Sequence, residues 1–507
     1  MVYRSNLFSH LPISCFRCIV GKIEAVWQRL KRGKNVAKKA EPVLIIGAGV
    51  AGGVVADVLG QSLNKDLKPV GFIDDDLKKQ KLVLHGLPVL GTRDDILTIV
   101  RGYDIKKIII AIPSASGRVI CQIIEKCHQS KAHLKILPGF YDLITGKIKI
   151  SKIRDIEVSD LLGREPVTLD VERIAGYLTN QSVLVTGAGG SIGSELSRQV
   201  AKFSPGQLIL LGRGENSIYE INLELRENFQ GLQLIPEIGD IKDRARMRRI
   251  FDRYRPNVVF HAAAHKHVLF MEQCPEEAVK NNITGTRILA ESACRVGTGA
   301  FILISSDKAV NPASIMGASK RVAEMVIQRM NERGKTRFAA VRFGNVLGSR
   351  GSVIPLFKRQ IARGGPVTVT HPDMERYFMT TAEAAQLVIQ AGVLAKGGEI
   401  FILDMGNPVK ILDLAKKLIS LSGFEPEKDI PICFTGINPG EKLVEQLVGE
   451  GERTIPTEHE RIFAISEGKQ DFDLLEASLN VLESPGFPYR EHEIILLLQK
   501  LIPGFRK

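Results

Sequence analysis

The run Ser182-Val-Leu-Val-Thr186-Gly187-Ala-Gly-Gly190-Ser191-Ile192-Gly193-Ser-Glu195 holds an apolar strand, a glycine loop and a helix start, in that order. Gly187, Gly190 and Gly193 keep a GxxGxxG spacing. Positions without a side chain let the backbone close on a pyrophosphate, and the first helical turn meets its charge with N–H groups and a positive dipole end. A tight turn without a ligand would also use glycines. It would not need strand, loop and helix in succession, so nucleotide binding is the reading adopted. Ser191 and Ile192, inside the loop, belong to the same site.

Outward from this loop, apolar runs and helical stretches alternate to about Gly348, with strands expected at 207–211, 232–235, 258–261, 300–305 and 338–343. Six or seven strands separated by helices imply a parallel sheet covered on both faces. Past Gly348, glycines at 351, 364, 365, 397, 398, 406 and 440 mark a loop-rich region suited to build a substrate pocket over the carboxyl edge of the sheet. Upstream, a shorter unit repeats the grammar. Its strands are expected at 43–46, 69–74, 107–113 and 134–138, with helices to Leu59 and over 117–128. The expected fold is α/β, with two Rossmann-like doubly wound parallel-sheet domains, the second extended by the loop-rich C-terminal substrate region. The expected boundaries are a basic arm at 1–40, a first domain open to a regulatory role at 41–150 and a connecting segment at 151–180. A catalytic domain at 181–470 and a C-terminal helical tail at 471–507 complete the chain.

A chain of 507 residues, 44% apolar and 25% charged, is globular and too long for one ordinary core. Residues 1–40 carry nine Lys or Arg and one acid, so +8 of the formal +13 sits in the arm. A basic arm on a near-balanced body fits anionic lipid or simple solubility better than a nucleic-acid surface, and no nucleic-acid partner is expected. Residues 11–20 are interrupted by Arg17 and too short to span a bilayer, and no cleavage site follows them. A basic amphipathic helix over 19–32 leaves peripheral membrane contact open. Seven scattered cysteines point to a reducing, cytoplasmic setting, and Cys15-Phe-Arg-Cys18 has no second pair to complete a metal site.

The second strand of the larger unit ends Gly212-Arg213-Gly214-Glu215. NAD sites place an acid there for the ribose diol, and Gly212 offers none. Arg213 can pair with a 2′-phosphate while Glu215 can still reach the diol, so NAD or NADP stays open. Asp240, with Ile241 beside it, suits an adenine contact. In His261-Ala262-Ala-Ala-His265-Lys266-His267 no carboxylate is spaced for a metal, and none is expected. Small residues after a strand instead make a floor beside a nicotinamide, with Ala262 on the cofactor and Lys266 on sugar or phosphate. Gly47, Gly49 and Gly52, with Asp74–Asp76 beyond, form a second dinucleotide-like loop. No catalytic set follows it, and it reads either as a nucleotide-sized regulatory site or as a structural relic.

The chemistry is carried by Ser305-Ser306-Asp307-Lys308-Ala-Val-Asn-Pro-Ala-Ser-Ile-Met316-Gly-Ala-Ser-Lys320. Dehydrogenases of the short-chain type set a Tyr and a Lys four apart on one helix. Here the Lys is present and Met316 stands at the Tyr position. A thioether carries no proton at neutral pH, so an ordinary alcohol oxidation loses its acid/base. Asp307 and Lys308 supply two proton carriers instead, which points to sugar dehydration.

Together with His261–Val268, Arg342-Phe-Gly-Asn345-Val-Leu-Gly-Ser-Arg350-Gly-Ser352, Arg376-Tyr-Phe-Met and Pro439-Gly-Glu441-Lys-Leu443, these motifs span most of residues 43–449. The chain resembles the bacterial nucleoside-diphosphate-sugar 4,6-dehydratases of polysaccharide biosynthesis, in the extended short-chain dehydrogenase superfamily. Met316 makes it similar to the long two-domain type that acts on UDP-N-acetylglucosamine. Such members open with a four-helix membrane region, which this chain is expected to lack. The resemblance implies a tightly bound NAD or NADP, regenerated each turnover. It also implies that Asp307 protonates the departing C6 hydroxyl, that Lys308, with a lowered pKa, takes the C5 proton, and that Lys320 holds the nicotinamide ribose. Ser306 would bond the C4 oxygen and relay its proton through Asp307 or water. Arg342, Asn345, Arg350 and Arg376 would address the substrate diphosphate, with Glu441 finishing the nucleotide pocket. The product would be a UDP-4-keto-6-deoxy-N-acetylhexosamine, and the protein a homo-oligomer. A C5-inverting dehydratase, a 4-epimerase and a non-catalytic UDP-sugar sensor are the alternatives; an epimerase would need the missing Tyr.

Overall fold

The computed structural model describes residues 40–61, 66–130, 132–137, 153–161, 163–164, 167–466, 468 and 470–507. The basic arm and the Cys15–Cys18 pair lie outside them. The chain divides into two compact units, one holding residues up to 115 with 123–156, the other 116–122 with 157–507.

In the first unit, strands β1 (Glu41–Ile46), β2 (Leu67–Ile73), β3 (Val83–Leu84), β4 (Leu87–Gly91), β5 (Lys107–Ile110), β6 (His133–Ile136) and β7 (Arg154–Asp155) form one sheet, with helix α1 (Val50–Gln61) after β1. The order is β3-β4-β2-β1-β5-β6-β7, and the five inner strands are parallel. Val43, Leu44 and Ile45 have no solvent exposure. Their unbroken apolar run reflects a strand buried on both faces.

The second unit opens with helix α2 (Val171–Leu178), then β8 (Ser182–Thr186), α3 (Ser191–Ala201), β9 (Gln207–Gly212), β10 (Leu234–Ile238) and β11 (Val258–His261). Helix α4 (Gly285–Val296), β12 (Ala300–Ile304), α5 (Ile315–Arg333), β13 (Arg337–Arg342), α6 (Thr381–Leu394) and β14 (Ile400–Leu403) follow. Strands β15 (Arg453–Pro456) and β16 (Ile462–Ser466) and helices α7 (Phe472–Leu482) and α8 (Glu491–Leu501) end it. The sheet runs β10-β9-β8-β11-β12-β13-β14-β16-β15. The first seven are parallel, as the alternation predicts. The last two are antiparallel and arise from the region read as loop-rich. They cover the edge that β14 would otherwise expose.

Side chains alternate between two cores. Val183 and Val185 pack with Leu196 and Val200 of α3, while Leu184 faces the core shared with Val326 and Met330 of α5. The segment expected as a connector belongs to this unit from 157 onward, because Ile174 and Leu178 of α2 are buried in the Val183 core. The residues past Gly348 are more than loops, for Phe357, Val367, Val369, Ile411, Leu414 and Leu418 make a third core. Among the described residues, no helix is long and apolar enough to cross a membrane.

Strand order reverses between β8 and β11, and open parallel sheets bind ligands at such a switch point. The register sets Thr186 beside His261 and His261 beside Leu303. The glycine loop, the Ala262 floor and the Ser305–Lys308 turn thus share one edge.

Candidate active site

Gly187 has φ +65°, and a Cβ there would stand 2.8 Å from the Ala263 Cα and nitrogen. A Cβ on Gly193 would run into the Gly187 carbonyl oxygen. The two positions therefore need glycine, one for its dihedral and one for strand–helix contact. The loop bounds a cavity of about 300 Å³, walled by Gly190, Arg213, Asp240, Ile241, Ala262 and Asn281 among others. Ser191 and Ile192 begin α3, and the Ser191 hydroxyl accepts the Arg350 N–H at 3.1 Å. Glu215 is exposed on the next helix and is not part of the cavity wall. A cradle that any Cβ would fill, a helix N-terminus and an acid at Asp240 fit a dinucleotide. Asn281 was not legible as a contact; it projects from a π-helical stretch, Val279–Thr284, a deviation that gathers at functional sites.

His261 has both ring nitrogens engaged, with Thr186 Oγ1 at 2.7 Å and Thr286 Oγ1 at 3.0 Å. Burial, assisted by the Lys320 charge, pushes its pKa down to about 3. Among the described residues no group of three His, Cys, Asp or Glu side chains is gathered for a metal.

At the end of β12 the chain turns through a single 3₁₀ turn, Asp307–Ala309, capped by Ser306. Asp307 is fully buried. Its Oδ1 accepts the Ser306 hydroxyl at 2.8 Å and Lys308 Nζ at 3.0 Å, while its buried Oδ2 has no partner. Lys308 Nζ also reaches Asn345 Oδ1 at 3.3 Å and Glu445 Oε1 at 3.4 Å. The lowered pKa expected of Lys308 is not what this setting produces. Burial disfavours its ammonium, but the charges of Asp307 and Glu445 outweigh burial and hold the pKa above the ordinary lysine value. Lys320, by contrast, is pushed down to about 8 by burial that Glu324 only partly offsets. Its Nζ donates to the Ile304 carbonyl, one helical turn after Met316, which is buried in the apolar core.

The residues assigned to substrate divide. Lys266 donates to Ser349 Oγ at 3.2 Å, and burial, then Arg350 and Lys308, lower its pKa. Arg350 lies against the glycine loop, donating to the Gly189 carbonyl, and walls the dinucleotide cavity. Arg376 is buried with its guanidinium on the Glu375 and Leu443 carbonyls. Glu441 accepts from Asn438 N and Nδ2 and so ties its own loop. Arg342 is not available to a diphosphate. It is wholly buried, gripping Glu324 at 2.8 Å through two nitrogens and Glu452 at 2.8 and 2.9 Å. Glu445 and Glu452 escaped the sequence reading because a lone acid in a loop has no periodic or motif signal.

In the first unit, Gly47 has φ +105° and Asp74 Oδ2 accepts the Ala48 N–H at 2.8 Å and Lys79 Nζ at 3.0 Å. No second cluster comparable to Asp307–Lys308 accompanies this loop among the described residues.

Comparison with known proteins gives the family. Residues 183–467 match the family model described as polysaccharide biosynthesis protein, and residues 7–138 match one described as a CoA-binding domain. The chain is 54% identical over 411 residues to the probable polysaccharide biosynthesis protein EpsC of Bacillus subtilis, covering 81% of this chain and 68% of that one. It is 48% identical over 495 residues to the capsular polysaccharide biosynthesis protein CapD of Staphylococcus aureus, covering 96% and 79%. A UDP-N-acetylglucosamine 4,6-dehydratase (inverting) of Campylobacter jejuni is 31% identical over 291 residues, covering 56% and 83%. Among solved structures, Pen from Bacillus thuringiensis superposes with a TM-score of 0.52 at 34% identity, covering 57% of this chain and 90% of that one.

Proposed function

Because the chain belongs to the polysaccharide biosynthesis protein family, whose relatives include nucleotide-sugar dehydratases and epimerases, we propose that it is a UDP-N-acetylglucosamine 4,6-dehydratase. The observation that carries the reading is the Ser306–Asp307–Lys308 chain of hydrogen bonds around the buried Asp307 carboxylate, on the same sheet edge as the glycine loop, with a thioether where an epimerase needs a phenol. Gly187, Gly190, Asp240, Ala262 and Lys320 hold NAD or NADP, which when bound supplies reversible oxidation at C4. Arg213 in the cavity wall supports a 2′-phosphate, and titration with each dinucleotide separates the two.

Ser306 Oγ already donates to Asp307, so it can accept the C4 hydroxyl proton while its own passes to the carboxylate. Asp307, now a neutral acid, returns that proton to the C6 oxygen as water leaves. Lys308 takes the C5 proton as an amine and gives it back once C6 is reduced. The proton transfers at C4, C5 and C6 thus close without a tyrosine. Lys266 and Arg376 supply cationic surroundings for the diphosphate.

Incubation of purified protein with UDP-N-acetylglucosamine, read by mass spectrometry and NMR, tests the proposal. Loss of one water with C5 configuration kept is expected. Unchanged mass with inverted C4 would establish an epimerase, and intact substrate would establish a sensor. The Campylobacter relative's name makes C5 inversion the specific competing product, visible in the ring couplings of the same spectrum.

A further inference from the structure

Beneath the Asp307–Lys308 pair lies a carboxylate that the steps above do not use. Glu445 comes from the loop after Pro439-Gly440, far along the chain from the turn it meets. Its side chain is 3% exposed, Oε1 stands 3.4 Å from Lys308 Nζ, and the buried Oε2 has no partner. We propose that Glu445 is a positioning residue that holds Lys308 between two carboxylates and sets the pH at which its amine becomes free to act. This rests on the dehydratase reading for its consequence in turnover, though not for the ion pair itself.

The geometry leaves Lys308 little choice. Its Nζ donates to Asp307 Oδ1 and Asn345 Oδ1, and Glu445 Oε1 stands in ion-pair contact at 3.4 Å, so all three near partners are acceptors that favour the ammonium. The cations facing the group are Arg376, Lys266 and Lys442, and their repulsion is outweighed by the two acids. An ammonium cannot remove a carbon-bound proton. A base flanked this way is idle at rest and becomes available only when one flanking charge is neutralised. Protonation of Asp307 by the C4 proton does that within the proposed sequence: the partly exposed ammonium then gives its surplus proton to solvent water, and takes one back from water after the C5 proton has been returned. Glu445 then remains as the one fixed anion, keeping the lysine in reach of C5 and preventing its amine form before Asp307 is charged with a proton. The order of events, oxidation before C5 deprotonation, is in this way built into the charge arrangement.

Two readouts on the full-length chain test this. Competitive acetylation of lysines across a pH series, quantified by peptide mass spectrometry, reports the titration of Lys308 with no substrate present. Its half-reactivity in Glu445→Gln is expected about one pH unit below wild type, as loss of a carboxylate within 4 Å of an amine requires. Glu445→Asp should return it most of the way. The rising limb of turnover on UDP-N-acetylglucosamine should move by the same amount, while dinucleotide titration confirms that the variant is folded. Unmoved acetylation in a variant that binds dinucleotide overturns the assignment and leaves Glu445 a packing residue. Shifted acetylation with an unshifted turnover limb overturns its control of the base. A wild-type chain that leaves the sugar intact, with acetylation shifted in the variant, refutes the dehydratase and upholds the pairing.

Discussion

Asp307 illustrates what one residue can do when its surroundings are fixed. The carboxylate sees no solvent, takes two donors on one oxygen and leaves the other empty. A buried polar atom without a partner is costly, and a substrate hydroxyl is the natural donor for it. Asp307→Asn keeps the shape but cannot take up and release a proton, so loss of water from the sugar should fall by at least about 100-fold. Dinucleotide affinity, measured by fluorescence titration, should stay near wild type; robust turnover in this variant would remove Asp307 from its role. Met316 is the converse case. Its thioether does no proton chemistry and its environment is apolar, so Met316→Leu is a volume-conserving core swap costing less than about 1.5 kcal/mol. Turnover at room temperature should survive it, and its collapse would mean the sulfur matters.

At the level of elements, Arg342 links three pieces that sequence separates widely. It ends β13, its fork grips Glu324 on α5, and its remaining nitrogen holds Glu452 just before β15. Glu324 also takes the Ser305 hydroxyl at the end of β12. The loop carrying Glu445 is anchored a few residues away by Glu452, which accepts the Gly449 N–H at 2.7 Å. One planar cation thus fixes the helix of Lys320 relative to the wall of the site. Arg342→Lys keeps the charge but cannot fork, and breaking a buried pair costs about 3–5 kcal/mol. Urea unfolding should record that loss, with kcat falling even where the protein remains folded. A variant as stable as wild type would show that the fork is dispensable.

For the whole molecule, the second unit depends on its last residues. Leu475, Leu479 and Leu482 of α7 and Ile494, Leu498 and Leu501 of α8 all enter the core under α5. Each such side chain contributes about 1.5–3 kcal/mol, and six together, about 9–18 kcal/mol, are comparable with the stability of an ordinary domain, about 5–15 kcal/mol. Deletion of 471–507 should therefore give an unfolded or aggregated protein by circular dichroism and size exclusion; a monodisperse folded product would contradict this. Acid should act on the same unit. His261 is held neutral down to about pH 3, so below pH 6.5 the unfolded chain binds a proton that the folded one refuses, and stability falls as pH drops across that window. Glu324 is depressed to about 2, chiefly because Arg342 overcomes its burial, so its contribution is present above pH 4.5 and fades below. Thermal unfolding between pH 7 and pH 5 should show the first effect, and His261→Asn should flatten it. An equally steep fall in that variant would place the titrating group elsewhere.

The sequence alone determined what depends on near neighbours. The strand, glycine loop and helix at 182–201, the β11 and β12 strands and the 117–128 helix follow from patterns local enough to read in a line of residues. It also brought Asp307, Lys308 and Met316 to notice, because a missing phenol four residues before a lysine is visible without coordinates. Only tertiary structure decided the partners. Arg342 reads as an arginine suited to phosphate until Glu324 and Glu452 arrive from 18 and 110 residues away. Lys308 reads as a base with a low pKa until Glu445 is seen beside it. Charge interactions depend on distance through space and on exclusion of water, and neither quantity is written in spacing along the chain.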